Sequence, residues 1–434
     1  MYVSADTVSH RSIEYVAKRL VKNVIDDING NPDLLFIAFT ASYKQRALYQ
    51  KALKILQEES DAKNILGGTF PAVVTSRAYP TIKGGAALAI KSKDLEIVKP
   101  FYQNNVRLKT KKAAKAISQR YNKVKAKSKV VLTLSAGTSF PESAMESMKV
   151  LDTIFARKFR AIFNLVGKIV EKTQAKSGYG STVYISGLLK KLYPLVKNLI
   201  GGATLDLDIK PSYQFISNKI FANGLVGTIL SSDKIKFAQY WTFDKSKKDV
   251  LFNITQFLKS GYIQMINNNA AGKEFLDIID ISRELYDEAF SKYWYASLLY
   301  ATALVVGDNE EYPFVSAAHP ALRGLITSLP IALMKGSTQK ARVFTQSGLG
   351  VVNSAKKCAN ECRHQLLKPL FGIFVNCANR LLISGDKIYE ENKTISKELE
   401  NAPFITFYSG GEYSIINKKP VMSSISIHGM VAGI

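Results

Sequence analysis

The chain carries three copies of one sequence pattern, and this repetition constrains the fold more than any other feature. In each copy an apolar run is followed by a second apolar run with a glycine pair, and then by a third apolar run that contains glycine. The three copies are residues 34–39, 65–68 and 84–90; residues 130–134, 199–202 and 223–230; and residues 371–377, 407–412 and 426–432. Such repetition predicts a fold assembled from related units.

Each run has the length and residue types of a buried strand, and helical stretches at residues 44–59 and 388–400 separate the first two strands of their copies. Apolar strands joined by a helix favour parallel right-handed crossovers, whereas the strand that follows favours an antiparallel return. The sequence therefore predicts an α/β (mixed α+β) protein, in which repeated strand-helix-strand-strand units form mixed sheets flanked by helices.

The length of 434 residues exceeds what one hydrophobic core usually organises. We therefore predict two domains, residues 1–238 and residues 239–434. The first domain contains a basic segment at residues 91–130 and a helical insert at residues 141–178, which the other copies lack. Apolar residues recur at helical spacing in the insert, with cations between them, so we expect a basic amphipathic helix that packs on the protein's own surface. Docking on a membrane is the alternative.

Three cysteines are too few for a disulfide framework, and the chain begins with a polar amphipathic segment. These features predict a cytoplasmic protein. The longest uncharged apolar stretch, residues 293–307, is shorter than the roughly 20 residues that a bilayer-spanning helix needs. We expect this stretch to be buried core, and we expect no transmembrane segment.

The formal net charge of +24 is concentrated in one part of the chain. Residues 91–130 hold thirteen Lys or Arg against two acidic residues, and few aromatic residues lie between them. No pattern typical of a nucleic-acid-binding fold is present. The segment from Lys91 to Val130 therefore predicts a solvated basic face that contacts polyanions without selectivity. The alternative is a basic scaffold that docks a polyanionic partner through this segment and the helical insert.

Polar residues follow two strands of the third copy. Cys377 and Arg380 come at the end of one strand, and Glu412 ends the strand expected beside it. Because the carboxyl ends of neighbouring strands line the ligand crevice of open α/β sheets, these residues are predicted to share one site. Arg380 can hold a carboxylate with two donors, and Glu412 can accept from an ammonium group, so the pair suits an amino acid. The alternative is an internal Arg380–Glu412 salt bridge.

Cys377 raises the alternative of a cysteine-dependent hydrolase or acyltransferase, because a thiol beside an arginine can ionise and attack a carbonyl. The sequence does not arrange a base for it, since His319, His364 and His428 are scattered. Buried cysteine is usually a small apolar filler. The enzyme question stays open, and the balance favours a protein without catalytic activity.

Metal and cofactor motifs are not found. Cys358, Cys362 and His364 lie close together, but the further ligands and spacing of a zinc site are absent, so packing on a helix face is the better interpretation. The chain has no phosphate-binding loop, dinucleotide glycine pattern or paired metal-binding carboxylates. We predict no metal and no cofactor.

The order of several motifs resembles the FIST proteins, a family named for F-box and intracellular signal transduction. The segments that carry this resemblance are residues 130–137, 200–203, 212–215, 223–227, 268–276, 312–314, 322–323, 374–380 and 407–412. Together they span nearly the whole chain. One departure is Asn379, which stands where the family's Cys-x-Gly-Arg motif has glycine.

The resemblance implies a two-domain intracellular sensor that binds small ligands such as amino acids. No signalling output domain remains outside the matched segments, so the output is expected to come from a separate partner. The family's recognisable positions are occupied here by Arg323, Cys377, Arg380, Gly410, Gly411 and Glu412. Tyr213 and the pair Gly201 and Gly202 are the candidates from the other half of the chain.

Overall fold

A computed structural model describes residues 1–140, 172–244, 250–258, 262–292, 300–306, 310–318, 323–327 and 339–434. Residues 141–171 of the predicted insert therefore lie outside the described residues, and so does His319. The same holds for residues 293–299 and 307 of the apolar stretch at 293–307.

The described residues form both strands and helices. The strands are β1 (Tyr2–Ser9), β2 (Leu34–Thr40), β3 (Ile65–Phe70), β4 (Val73–Thr75), β5 (Gly84–Lys91), β6 (Glu96–Ile97), β7 (Phe101–Asn104), β8 (Ser128–Ser135), β9 (Leu199–Ala203), β10 (Gln214–Ile216), β11 (Lys219–Phe221), β12 (Gly224–Ser232), β13 (Lys236–Thr242), β14 (Val250–Leu258), β15 (Tyr262–Ile266), β16 (Asn269–Ala270), β17 (Tyr300–Val306), β18 (Glu310–Ala318), β19 (Leu325–Thr327), β20 (Gln339–Thr345), β21 (Pro369–Cys377), β22 (Phe404–Ser409), β23 (Glu412–Ile416), β24 (Lys419–Ser423) and β25 (Ile427–Gly433). The helices are α1 (Ile13–Ile28), α2 (Arg46–Ser60), α3 (Thr110–Lys123), α4 (Tyr184–Leu192), α5 (Ala271–Ile279), α6 (Arg283–Lys292), α7 (Gly348–Arg363), α8 (Asn379–Ser384) and α9 (Ile388–Glu398).

Three sheets repeat one strand arrangement, as the sequence predicts. In the first sheet β2 and β3 are parallel, and β5 returns antiparallel between β2 and β1. The second sheet pairs β8 with β9 in parallel and β12 with β8 antiparallel. The third does the same with β21, β22 and β25, and β13 lies at its edge. The predicted α/β class with mixed sheets is confirmed.

The three sheets also exchange strands in a cycle. The segment after the second parallel strand of each unit leaves its own sheet and joins the edge of another. Thus β4 pairs with β22, the hairpin β10–β11 pairs with β3, and the hairpin β23–β24 pairs with β9. The predicted domain boundary at residues 238/239 falls inside β13, and the sheets share strands across it.

One apolar core joins the three sheets. Leu66, Leu132 and Ile373, one from each sheet, belong to the same buried cluster, and the ring of Phe407 lies 4.4 Å from that of Phe70. Helices cover the opposite face of each sheet and bury their apolar stripes there. The strands of these sheets are consequently buried on both faces, which explains their nearly continuous apolar sequences.

A fourth sheet contains β14 to β20 and packs against α5. It contacts the third unit where the Ser424 N–H, just beyond β24, donates to the carbonyl of Pro313 in β18 (2.9 Å). Within the described ranges, no helix combines the length and apolar character needed to cross a bilayer.

Candidate functional site

Glu412 begins β23 at the point where the third unit joins the second sheet. It lies opposite Gly202 of β9, and Tyr413 lies opposite Gly201. A Cβ atom on Gly201 would lie 2.3 Å from the Tyr413 ring, and one on Gly202 would lie 2.7 Å from the Phe407 ring. The glycine pair therefore sits inside a strand, where it admits close packing of aromatic rings, and not at a strand end facing a ligand.

A chain of hydrogen bonds runs from Glu412 to a buried histidine. Ser409 Oγ lies 2.8 Å from Glu412 Oε1, and Ser426 Oγ lies 3.2 Å from Glu412 Oε2. Ser423 Oγ lies 2.7 Å from Ser426 Oγ and 2.8 Å from His428 Nε2. All five side chains are buried, so this is a polar path through an otherwise apolar core.

Burial keeps both ionisable ends of this path uncharged near neutral pH. Removal from water raises the pKa of Glu412 to about 8, although Ser409 and Ser426 lower it in part through their hydrogen bonds. Burial lowers the pKa of His428 to about 3. His428 Nδ1 contacts Ser414 Oγ at 2.9 Å, so both ring nitrogens have partners in the neutral form. The chain from Glu412 to Ser414 is therefore a neutral network, in which the protonated carboxyl of Glu412 donates its own O–H to one of the two serines and accepts from the other.

The second unit holds a neutral counterpart of Glu412. Gln214 begins β10, and it lies opposite Gly68 in β3 as Glu412 lies opposite Gly202 in β9. Its Nε2 donates to Thr204 Oγ1 (2.6 Å), and its Oε1 accepts from the Gly224 N–H (2.9 Å). An uncharged amide thus fills the position in one unit that a protonated carboxyl fills in the other.

Arg380 does not pair with Glu412. Its side chain is fully buried, and its Nε and Nη2 donate to Glu391 Oε1 at 3.0 and 2.5 Å. Nη1 donates to Ser354 Oγ (2.9 Å) and Nη2 also donates to the Val351 carbonyl (2.8 Å). The predicted alternative, an internal Arg380–Glu412 salt bridge, is wrong, because α9 brings Glu391 to the guanidinium instead. All three nitrogens are used within the protein, so Arg380 is not available to clamp a ligand carboxylate.

Cys377 ends β21 beside Ser409, and its thiol lies close enough to Glu412 to be influenced by its charge. Burial, and then Glu412, raise the pKa of this thiol well above its ordinary value. A nucleophilic cysteine needs the opposite shift. His428 does not serve as its base, since Ser423 and Ser414 occupy the imidazole.

We therefore expect Cys377 to resist alkylation in the native protein. Treatment with iodoacetamide at neutral pH should modify it at least about 100-fold more slowly than in urea, because the thiol is protonated and covered. Mass spectrometry of the peptide that contains Cys377 measures the rate, and the buried Cys362 serves as the internal reference. Rapid alkylation of Cys377 alone in the folded protein would support the hydrolase alternative instead.

Half-buried aromatic side chains lie over this region, where β13 meets the fourth sheet. The Trp241 ring stacks on Tyr312 of β18, with centroids 5.9 Å apart, and on Phe243 at 6.1 Å. The same Trp241 ring lies 5.7 Å from His428. We call this region the junction, defined by Trp241, Phe243, Tyr312, Phe344, Gln346, Cys377, Asn379 and Ile425.

Two polar atoms of the junction have no hydrogen-bond partner among the described residues. Gln346 Nε2 donates to the carbonyl of Ile425 (3.4 Å), but Gln346 Oε1 is buried without a donor. Asn379 Nδ2, two residues after Cys377, is buried without an acceptor. Ile425, whose carbonyl accepts from Gln346, and Cys377, two residues before Asn379, belong to one buried cluster. Unsatisfied buried polar atoms are uncommon and costly, and this acceptor and this donor each lack the partner that a buried polar atom usually has.

The structure brings together six of the nine predicted site residues. Cys377 ends β21, and the parallel strand β22 is followed by Gly410, Gly411 and Glu412. Gly201 and Gly202 lie on β9 beside Glu412 and Tyr413. Arg380 is near but engaged elsewhere.

Two predicted residues lie apart from this group. Tyr213 packs on Tyr49 against the first sheet, with ring centroids 5.5 Å apart. Arg323 is exposed, and its backbone carbonyl accepts from the N–H of Gly272 in α5 (2.8 Å). The sequence interpretation did not select His428 or the serines of the polar chain as site residues. Their signal is the alternation of polar residues within apolar strands, at 412 and 414 and at 426 and 428.

Comparisons with known proteins add no assignment. No protein-family model matches the chain, and no curated protein is significantly similar to it. Within the described residues no group of three or more His, Cys, Asp or Glu side chains is placed to hold a metal ion.

Proposed function

We propose that this chain is a binding module for a small polar metabolite, such as an amino acid, and that the ligand occupies the junction. The observation that carries the proposal is the pair of unsatisfied buried amide atoms, Gln346 Oε1 and Asn379 Nδ2. One requires a donor and the other an acceptor. A small molecule such as an amino acid carries groups of both kinds.

The surroundings of these amides agree with this proposal. The stacked rings of Trp241 and Tyr312 offer flat apolar surface, and both are partly exposed. Next to Trp241, the buried chain from Glu412 to His428 is satisfied by its own hydrogen bonds, so it forms a polar wall without a fixed charge. Mostly apolar walls with a few convergent polar groups are typical of small-ligand sites. The perturbed pKa of Glu412 is a further feature that clusters at such sites.

The position of the junction suggests how binding is transmitted. Its lining comes from the third unit and from the fourth sheet, which meet at the Ser424–Pro313 hydrogen bond. A ligand that contacts both favours the arrangement in which they are closed together, by the difference between its affinities for the two arrangements. In line with the FIST resemblance, we extend the proposal to an intracellular sensor that signals through a separate partner protein.

A screen of amino acids by thermal shift tests this proposal. A ligand at about 100 times its Kd should stabilise the protein by about 2.7 kcal/mol. The Gln346→Ala and Asn379→Ala variants should lose most of this shift, because each removes one of the two polar atoms. Native mass spectrometry of freshly purified protein should show the same molecule retained.

The matched control is Gln365→Ala, which removes an exposed amide whose Nε2 donates a hydrogen bond to the carbonyl of Glu361 one helical turn away. It should keep the full thermal shift. Equal shifts in all three variants would place the ligand away from the junction, and the absence of a shift with any amino acid would remove this ligand class.

A further inference from the structure

The described part of the second unit has one end that is rich in positive charge. Residues 97–140 and 172–205 contain eleven and five Lys or Arg, respectively, and no Asp or Glu. These ranges include α3 and α4, which pack on each other over the second sheet. Both helices finish at the same end of the sheet, because each leads into one of the parallel strands β8 and β9.

Exposed cations from three chain segments meet at this end. The Lys197 N–H donates to the hydroxyl of Tyr121 (3.3 Å), and the Lys418 N–H donates to the Lys197 carbonyl (3.0 Å), which ties the ends of α3 and α4 to the turn between β23 and β24. We call this surface the basic end, defined by Arg120, Lys123, Lys125, Lys191, Lys197 and Lys418, all of which are exposed.

The basic end is not neutralised by ion pairs among the described residues. Within the described part of the chain, none of its six cations forms an ion pair. Asp233 accepts from the backbone N–H of Lys127 (2.9 Å), which is a neighbour of Lys125 in the sequence. Basic residues in the last turn of a helix favourably offset its dipole, and this accounts for Arg120, Lys123 and Lys191. It does not account for Lys125, Lys197 and Lys418, which lie beyond the helices.

Apolar side chains project among these cations. Tyr193 and Leu195, which follow α4, are 39% and 50% exposed. Large apolar residues flanked by lysines are typical of surfaces that insert shallowly into the headgroup region of an anionic bilayer. Each lysine near such a surface contributes about 1 kcal/mol of attraction.

We propose that the basic end docks the protein on an anionic membrane surface, with Tyr193 and Leu195 in the headgroup region and the lysines on the lipid phosphates and carboxylates. Nucleic acid is the other polyanion to consider, but the side chains favour lipid. Five of the six cations are lysine, whereas planar two-pronged recognition of nucleic-acid groups favours arginine. Contacts with nucleic-acid phosphates also leave the exposed Leu195 without a role.

Sedimentation with lipid vesicles tests the proposal on the full chain. Binding is expected to phosphatidylcholine vesicles that contain about 30% phosphatidylserine, with a steep loss as salt is raised, and not to pure phosphatidylcholine. The triple variant Lys123→Glu, Lys125→Glu, Lys191→Glu should lower the partition coefficient at least about tenfold. Leu195→Ser should lower it as well, at unchanged charge.

The control is the triple variant Lys356→Glu, Lys357→Glu, Lys393→Glu, which makes the same change in net charge on exposed positions of α7 and α9. It should bind vesicles nearly as well as the unmodified protein. Equal loss in both triple variants would overturn the assignment to the basic end. Binding to a single-stranded RNA, with no binding to the anionic vesicles, would overturn the lipid surface as its partner.

Discussion

Replacing Arg380 with alanine should destabilise the protein by about 3–5 kcal/mol, because it leaves the carboxylate of Glu391 buried without its cation. The pair is sealed from solvent, and it connects α8, α9 and the strand β21, since Asn376 Nδ2 also donates to Glu391 Oε1 (3.0 Å). Tyr408 of β22 donates to Glu391 Oε2 (2.9 Å), so the loss is felt in two strands. Urea unfolding followed by circular dichroism measures the change.

Arg363→Ala provides the control for this prediction. Arg363 pairs with Glu400 on the surface of the same unit, with both partners substantially exposed, so its removal should cost at most about 1 kcal/mol. The two arginines thus differ in expected effect because they differ in burial. An Arg380→Ala variant as stable as Arg363→Ala would show that the buried pair does not hold this unit together.

The unmodified protein should lose stability as pH rises from 6.5 to 8, and replacing Glu412 with glutamine should remove this loss. The folded-state pKa of Glu412 is about 8, above its ordinary value of 4.5, so its favourable contribution is complete below pH 4.5 and is lost as pH rises towards 8. Each pH unit between these values costs about 1.4 kcal/mol. Glutamine has no proton to lose, and Gln214 shows that an amide is accommodated at the equivalent position.

His428 determines how the stability of the protein changes at acid pH. Its folded-state pKa of about 3 is below its ordinary value of 6.5, so its contribution is complete above pH 6.5 and is lost as pH falls towards 3. Between pH 4.5 and 6.5 the two groups act in opposite directions and largely cancel. The unmodified protein should therefore lose stability from pH 6.5 to 8 through Glu412, and the Glu412→Gln variant should not.

The converse variant, Gln214→Glu, is the matched control. It places a carboxyl where the second unit has an amide, and it should introduce a similar loss of stability with rising pH, because Gln214 is fully buried. Unfolding free energies measured from pH 5 to 8.5 distinguish these cases. Parallel curves for the unmodified protein and Glu412→Gln would contradict a raised pKa at this position.

The repeated strand pattern was predictable because strands buried on both faces are nearly continuous apolar runs, which are readily recognised. The exchange of β4, β10–β11 and β23–β24 between sheets was not. These segments are short, and their partners lie in other units of the chain, so local sequence carries no information about the pairing. The domain boundary at residues 238/239 stays a prediction, and β13 spans it.

The site was predictable in part. The rule that neighbouring strand ends meet places Cys377 near Glu412, as found. It failed to give the partner of Arg380, because the competing carboxylate, Glu391, sits on a helix whose approach to the sheet depends on packing. Trp241 and Gln346 were also beyond prediction. Trp241 lies on β13 and Gln346 follows β20 of the fourth sheet, and both are far from Cys377 in the sequence. The FIST resemblance and its sensor function stay predictions.

The fluorescence of Trp241 tests the central claim most directly. In a Trp294→Phe variant Trp241 is the remaining tryptophan, and its ring forms part of the junction. Each amino acid is added at about 10 mM, and the emission of Trp241 is compared with the thermal shift that the same compound produces. We predict a saturable change in emission with the compound that stabilises the protein, abolished by Gln346→Ala. Stabilisation by a compound that leaves the emission of Trp241 unchanged would contradict a ligand at the junction.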